Sequence, residues 1–84
     1  MGAEFSVKQF HNVGGVSSVI TGVVESGELI EGAVGVTSQS KKFTVVKIEK
    51  EGQKINKAGQ GEKINISVKY LSRSDVRINE VFHF

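Results

Sequence analysis

Cysteine is absent from this 84-residue chain. That excludes disulfides, thiolate nucleophiles and cysteine-based zinc sites together. Long apolar runs are missing as well. None approaches the roughly 18 residues of a membrane span, and the N-terminus lacks the apolar stretch of a signal peptide. Histidine occurs twice, as His11 and His83, each without a His-x-x-x-His or His-x-Glu companion. A zinc ion takes three or four ligands, so the two read as a turn residue and a strand-face residue. Gly-x-Ser-x-Gly does not occur, and a nucleophilic serine also needs a base and an oxyanion pocket. Glu25, Glu28 and Glu31 cluster around one glycine-bearing segment, as a solvated rim rather than an acid/base pair. Asn65-Ile66-Ser67 is formally a glycosylation acceptor, but it lies in a strand-like run. The expectation is therefore no catalytic residue, no metal, no cofactor, no nucleotide and no membrane, in a cytoplasmic setting.

What is present begins with glycine. "VESGELIEG", residues 24–32, imitates a phosphate loop, because Gly22, Gly27 and Gly32 stand five apart. A phosphate loop needs Lys and Ser or Thr after the second glycine and then a helix. Glu28 and Leu29 follow Gly27, and Ala33 and Val34 follow Gly32. Turn chemistry explains the spacing better: glycine accepts the positive φ of tight hairpins. On this reading "ESGEL" turns the chain out of the second strand and Gly32 opens the third. Gly22, inside an apolar run, marks a bend or bulge.

Apolar alternation has a period of two almost throughout. In "KINISVKY", Ile64, Ile66, Val68 and Tyr70 share one face, and Lys63, Asn65, Ser67 and Lys69 the other. "KFTVVKIEK" puts Thr44, Val46 and Ile48 on one side and Phe43 and Val45 on the other. "FSVKQF" offers Phe5 and Val7 inward. "SSVITGVVE", "GAVGVT" and "INEVFHF" supply β-branched runs. Turns are expected at Asn12–Gly15, at Gly52, at Gly59–Gly61 and in "SRSD". Six strands and no helix of ten residues make an all-β domain. Closing it into a six-stranded antiparallel β-barrel removes the exposed edges that invite aggregation. The expected core is Val7, Phe10, Val19, Val23, Ile30, Val34, Val36, Val46, Ile48, Ile64, Ile66, Val68, Ile78 and Val81. Residues 1–84 form one domain, with 1–4 expected to be disordered or an expression remnant.

Net charge is only +2, but its distribution is uneven. Residues 1–37 carry Lys8 against Glu4, Glu25, Glu28 and Glu31, a net of −3. Residues 38–63 carry seven lysines against Glu49, Glu51 and Glu62, a net of +4. If the strands of this middle segment pair as a hairpin, their ammonium groups gather on one side. Positive surfaces of this kind hold phosphate backbones with a strong salt dependence. Lysine on β-edges also guards against edge pairing. The candidate nucleic-acid contacts are Lys41, Lys42, Lys47, Lys50, Lys54 and Lys57.

"VITGVVESGELIEG", "KIEKEGQKINKAGQGEKINISV" and "DVRINEVF" together resemble the second domain of translational GTPases. That family includes elongation factor Tu, selenocysteine-specific elongation factors and related initiation factors. The residues that carry the resemblance are Thr21, Gly22, Ser26, Gly27, Ile30, Gly32, Gly61 and Glu62. The resemblance covers nearly the whole chain, from about Phe5 to Phe84, and no GTPase motif accompanies it. The resemblance implies the closed six-stranded barrel as a stand-alone domain. Val16 stands where elongation factors commonly carry an arginine. Lys47 stands where they place an acidic residue near the terminal adenosine of aminoacyl-tRNA. Both departures count against that mode of recognition. The expected function is a non-catalytic binding module that contacts RNA or the ribosome through the lysine-rich hairpin. The alternative is a protein-interaction barrel that docks a GTPase or another protein through the acidic rim or the apolar "VFHF".

Overall fold

A computed structural model describes residues 2–12 and 17–84. Val16 and all but the first residue of the Asn12–Gly15 turn lie outside the described residues. The chain forms β1 (Ala3–Asn12), β2 (Ser17–Ile30), β3 (Val34–Val36), β4 (Lys42–Lys50), β5 (Gln53–Ile55), β6 (Lys57–Gly59), β7 (Lys63–Lys69) and β8 (Val81–His83). A 3₁₀ turn at Arg73–Asp75 is the one helical element among the described residues. The all-β expectation therefore holds, with eight strands rather than six. The additions are β5 and β6, three residues each, in a segment that reads as turns because Gly52, Gly59 and Gly61 interrupt it.

Every pairing is antiparallel. The ladder runs β1-β8-β3-β4-β7-β2, and β2 also pairs with β1. The seam between β3 and β8 is the thinnest, a single pair, Val36 with His83. Short β5 extends β4, and β6 lies along the far end of β2. At the N-terminal end Ala3 and Glu4 belong to β1. Ala3 is buried and exchanges backbone hydrogen bonds with Phe84, at 3.2 and 2.8 Å.

The strand β2 is 14 residues long, and the chain does not turn at Ser26–Gly27 as the sequence suggests. It bends there instead. Glu25 is an extra residue opposite the Glu4/Phe5 junction of β1, and Gly27 takes φ 74°, a left-handed value that glycine adopts without penalty. The true reversal is at Glu31–Gly32, one hairpin later. This bulge shifts the phase of burial. Ile20 and Val24 face the core before it and Leu29 after it, which leaves Ile30 half exposed.

The expected core departs from the observed one in four other places. Val19 and Val23 lie on the opposite face of β2 from Ile20, Gly22 and Val24. Gly22 looks like a gap in an inward row. In fact the Phe5 ring occupies the space over it, 2.6 Å from where a Cβ would stand. Gly35 repeats the device in β3: a Cβ there would lie 2.5 Å from the Phe84 ring and 2.7 Å from Phe43. Gly35 is thus the inward residue of β3, and Val34 is 59% exposed. In β4, Val46 is an extra residue between Val45 and Lys47 of the β7 register, so Phe43, Val45 and Ile48 are buried and Val46 only partly. At the C-terminal end Phe82 takes the inward position expected of Val81, and Ile78 is exposed.

Phenylalanine then fills the interior along the thin seam. Phe5 stacks on Phe82 at 6.2 Å, Phe82 meets Phe43 at 4.7 Å, and Phe43 meets Phe84 edge-on at 5.5 Å. These rings come from β1, β8 and β4 and from the last residue. Where β3 and β8 share one backbone pair, aromatic burial supplies the cohesion that hydrogen bonds do not; each such side chain stabilises by roughly 1.5–3 kcal/mol.

Candidate nucleic-acid interface

Alternation in β4 and β5 builds the hairpin that carries the candidate lysines. Lys50 pairs with Gln53, Glu49 with Lys54 and Ile48 with Ile55. The two loop residues, Glu51 and Gly52, both have positive φ, 53° and 81°. Two left-handed residues in a two-residue loop match the twist of the flanking strands. Beyond the hairpin, Lys57 enters β6 opposite Ile30. The next turn, Gly59–Glu62, is fastened by the Glu62 carboxylate, which accepts the Gly59 N–H at 2.6 Å.

The segregation of charge along the sequence is undone in space. β6 lies against the end of β2, so the basic middle meets the acidic first part. Lys57 stands 3.7 Å from Glu28, and Lys54 stands 3.4 Å from Glu31. Lys50 donates to Glu62 at 2.8 Å, and Lys47 lies 3.4 Å from Glu49. Four of the six candidate lysines thus have a carboxylate partner, while Lys41 and Lys42 have none among the described residues. These pairs sit in water. The lysine side chains remain 40–66% exposed, and surface pairs of this kind hold their partners weakly. The ammonium groups stay available to an anion that offers more charge than a single carboxylate.

Two groups here titrate away from their ordinary values. The Gly59 N–H first, and Lys50 second, hold the Glu62 carboxyl below its ordinary 4.5. The hydrogen bond to Glu62, with its charge, raises Lys50 above 10.5. Lys41 is positioned differently, by the turn from β3 to β4. The buried Thr37 hydroxyl accepts the N–H groups of Gln39 and Lys41, both at 3.2 Å, and Ser40 takes φ 67°.

The remaining candidates resolve into structural roles. The His83 imidazole lies 3.4 Å from the Glu4 carboxylate on the surface, and His11 is exposed on β1. Among the described residues no three His, Asp or Glu side chains gather as a metal site. Ser6 donates to Glu25 at 2.6 Å, which ties the third acidic residue of the rim to β1. Asn65 accepts from Thr21 across the β2–β7 ladder. In the "VFHF" segment Phe82 is buried, and Val81 and Phe84 are partly buried, Phe84 edge-on to Phe43. Tyr70, with Phe43 a candidate for base stacking, is placed inward by alternation with Ile64, Ile66 and Val68, but it takes φ 77° and is 69% exposed. The signal that could have found it is the polar "SRSD" loop immediately after.

These features define a class first: a small antiparallel module in which the described residues converge on charge and exposed surface rather than on a reactive cluster. No protein-family model matches the chain, and no curated protein matches it. Solved structures do. Translation elongation factor SelB from Methanococcus maripaludis, in its apo form, superposes on 99% of the chain with a TM-score of 0.90 at 12% identity. A bacterial selenocysteine-specific elongation factor, EF-Sec, covers 95% with a TM-score of 0.85 at 23% identity. GDP-bound aIF5B from Aeropyrum pernix covers 98% with a TM-score of 0.86 at 13% identity. The chain spans only 14–19% of the length of these factors. Its fold is that of a segment of translation factors, which is the resemblance read in the glycine-punctuated sequence.

Proposed function

We propose that this chain is a non-catalytic, cytoplasmic binding module, and that the returning ladder β1-β8-β3-β4-β7-β2 acts as a closed six-stranded barrel. Its target is RNA or the ribosome, contacted through Lys41, Lys42, Lys47, Lys50, Lys54 and Lys57. The observation that carries this reading is that Lys47, Lys50, Lys54 and Lys57, on β4, β5 and β6, keep side chains 40–66% exposed and are held only by surface pairs. The likeness to SelB, EF-Sec and aIF5B supports it by analogy of fold. A salt-titrated binding assay with tRNA and ribosomes tests it. Binding should appear at low salt and fall steeply as salt rises. It should disappear in a variant with Lys41, Lys47, Lys50 and Lys54 changed to Glu. No binding at low salt, or binding unchanged by those substitutions, overturns the reading.

A second reading, docking of a protein partner, is favoured by one observation. Ile30 and Val34 are 51% and 59% exposed on either side of the Glu31–Gly32 turn, beside the Lys54–Glu31 pair. A partner that copurifies and survives RNase, and is lost in Ile30→Ser with Val34→Ser, would select this reading over the first.

A further inference from the structure

A cleft at the C-terminal end of β7 stands apart from the ion-paired lysines of the hairpin. Lys41, Lys69, Tyr70, Leu71, Ser72 and Asp75 line an open cavity of 590 Å³. Three features distinguish it. Its two lysines, unlike those of the hairpin, have no carboxylate within ion-pair distance among the described residues. They come from separate elements, Lys41 from the turn before β4 and Lys69 from the end of β7, and Lys69 pairs with Thr44 in the β4–β7 ladder. With them in the lining is the only tyrosine of the chain.

The placement of Tyr70 is the second observation. By alternation after Ile64, Ile66 and Val68, position 70 belongs in the core. A left-handed backbone at φ 77°, which a bulky residue rarely adopts, turns the ring into solvent instead. Leu71 takes the inward place and is fixed there by the Ser18 hydroxyl, which donates to its carbonyl at 3.3 Å. Backbone strain of this kind gathers where a side chain has a task other than packing. Asp75, the one acid of the cleft, accepts the Ser72 N–H at 2.9 Å and the Ser72 hydroxyl at 3.1 Å, which closes the 3₁₀ turn.

An exposed aromatic ring in one open cleft with two lysines suits a ligand with a flat ring and a phosphate. We propose that this cleft receives one nucleotide of single-stranded RNA, with the base stacked on Tyr70 and the flanking phosphate between Lys41 and Lys69. Base–aromatic stacking of this sort tolerates any base, and the lysines follow the backbone charge. The inference rests on the RNA reading above and gives it a specific point of contact. The hairpin lysines then add general attraction, and the cleft holds the strand.

The chain carries its own probe. With one tyrosine and no tryptophan, intrinsic fluorescence reports on Tyr70 alone. Titration with a short oligouridylate at low salt, corrected for absorbance, should quench it saturably. Lys69→Glu should weaken that quenching about tenfold. A labelled oligouridylate followed by anisotropy should bind Tyr70→Ala about tenfold more weakly and Tyr70→Phe nearly as well as wild type. Unchanged thermal midpoints establish that each variant is folded. Lys47, Lys50 and Lys54 changed to Glu should reduce affinity but leave the saturating quench intact. Free uridine monophosphate should bind far more weakly than the oligonucleotide; equal affinity would overturn the assignment to a strand. RNA that binds without quenching, and equally well to Lys69→Glu and Tyr70→Ala, overturns the cleft but leaves the RNA reading standing. If no RNA binds wild type at low salt, the RNA reading fails and the cleft proposal with it.

Discussion

The two sides of this small domain are held by opposite means. At the β3–β8 seam a single backbone pair is left, and four phenylalanines do the holding, each buried or half-buried against the next. Along the β4–β5 hairpin and β6, the ladders are regular and the surface is laced with lysine–glutamate pairs open to water. Burial is strong and indifferent to salt. Surface pairing is weak, screened and exchangeable. The first region therefore sets stability, and the second is where the proposed RNA contact falls. Changes in one should leave the property governed by the other nearly untouched.

The largest effect belongs to the seam. Phe82 is fully buried and touches both Phe5 and Phe43. Phe82→Ala should cost about 3–5 kcal/mol in urea unfolding, a large share of what a domain this small possesses. Gly35→Ala follows. The new methyl would press into the Phe84 and Phe43 rings, and overpacking of this kind costs about 1–3 kcal/mol. A Gly35→Ala protein as stable as wild type would show that the rings yield freely and that the seam is loosely packed. On the charged side, Lys54→Glu with Lys57→Glu should leave the unfolding midpoint within a degree or two, because both side chains are more than half exposed. The same pair of changes should weaken RNA binding severalfold at low salt.

The smallest effect is one of pH. Glu62 has a depressed carboxyl in the folded protein, so its contribution is present above the unfolded value near 4.5 and is lost as pH falls through the folded value. Asp75, held down chiefly by the Ser72 N–H, behaves the same way. Lys50 is the mirror case. Its folded value is raised, so its contribution is complete below 10.5 and is lost as pH rises through the folded value. Glu62→Gln should therefore flatten the acid limb of a thermal-midpoint profile and slightly soften the alkaline limb, because it removes the partner of Lys50. An acid limb as steep as that of wild type would mean that the Gly59–Glu62 turn holds without its carboxylate.

The same contrast governs what the amino-acid order discloses. β7 is legible because its two faces differ in kind: Ile64, Ile66 and Val68 against Lys63, Asn65, Ser67 and Lys69. β2 has β-branched residues on both parities, so its strand character is plain but its inward face is not. The deciding residue is Gly22, whose place in the core is filled by a ring from another strand. Bulges at Glu25 and Val46 reset the phase of β2 and β4, and a period-two pattern has no means of announcing them. The lysines were visible as a cluster, but their partners were not. Glu28 and Lys57 are far apart in the chain and meet only because β6 folds back onto β2. Tyr70 was hidden for a related reason: side-chain type argues for burial, and only the left-handed backbone turns it outward.

The division of labour between the aromatic seam and the lysine-bearing hairpin is tested most directly by mapping amide chemical shifts during titration of the folded protein with ribosomal RNA at low salt. The account predicts that shifts move at Lys47–Lys50 of β4, the Glu51–Gly52 loop and β6, and at Lys69–Ser72, while Phe5, Phe43 and Phe82 stay in place. Shifts centred on the seam with the hairpin silent, or no shifts at all, would contradict it.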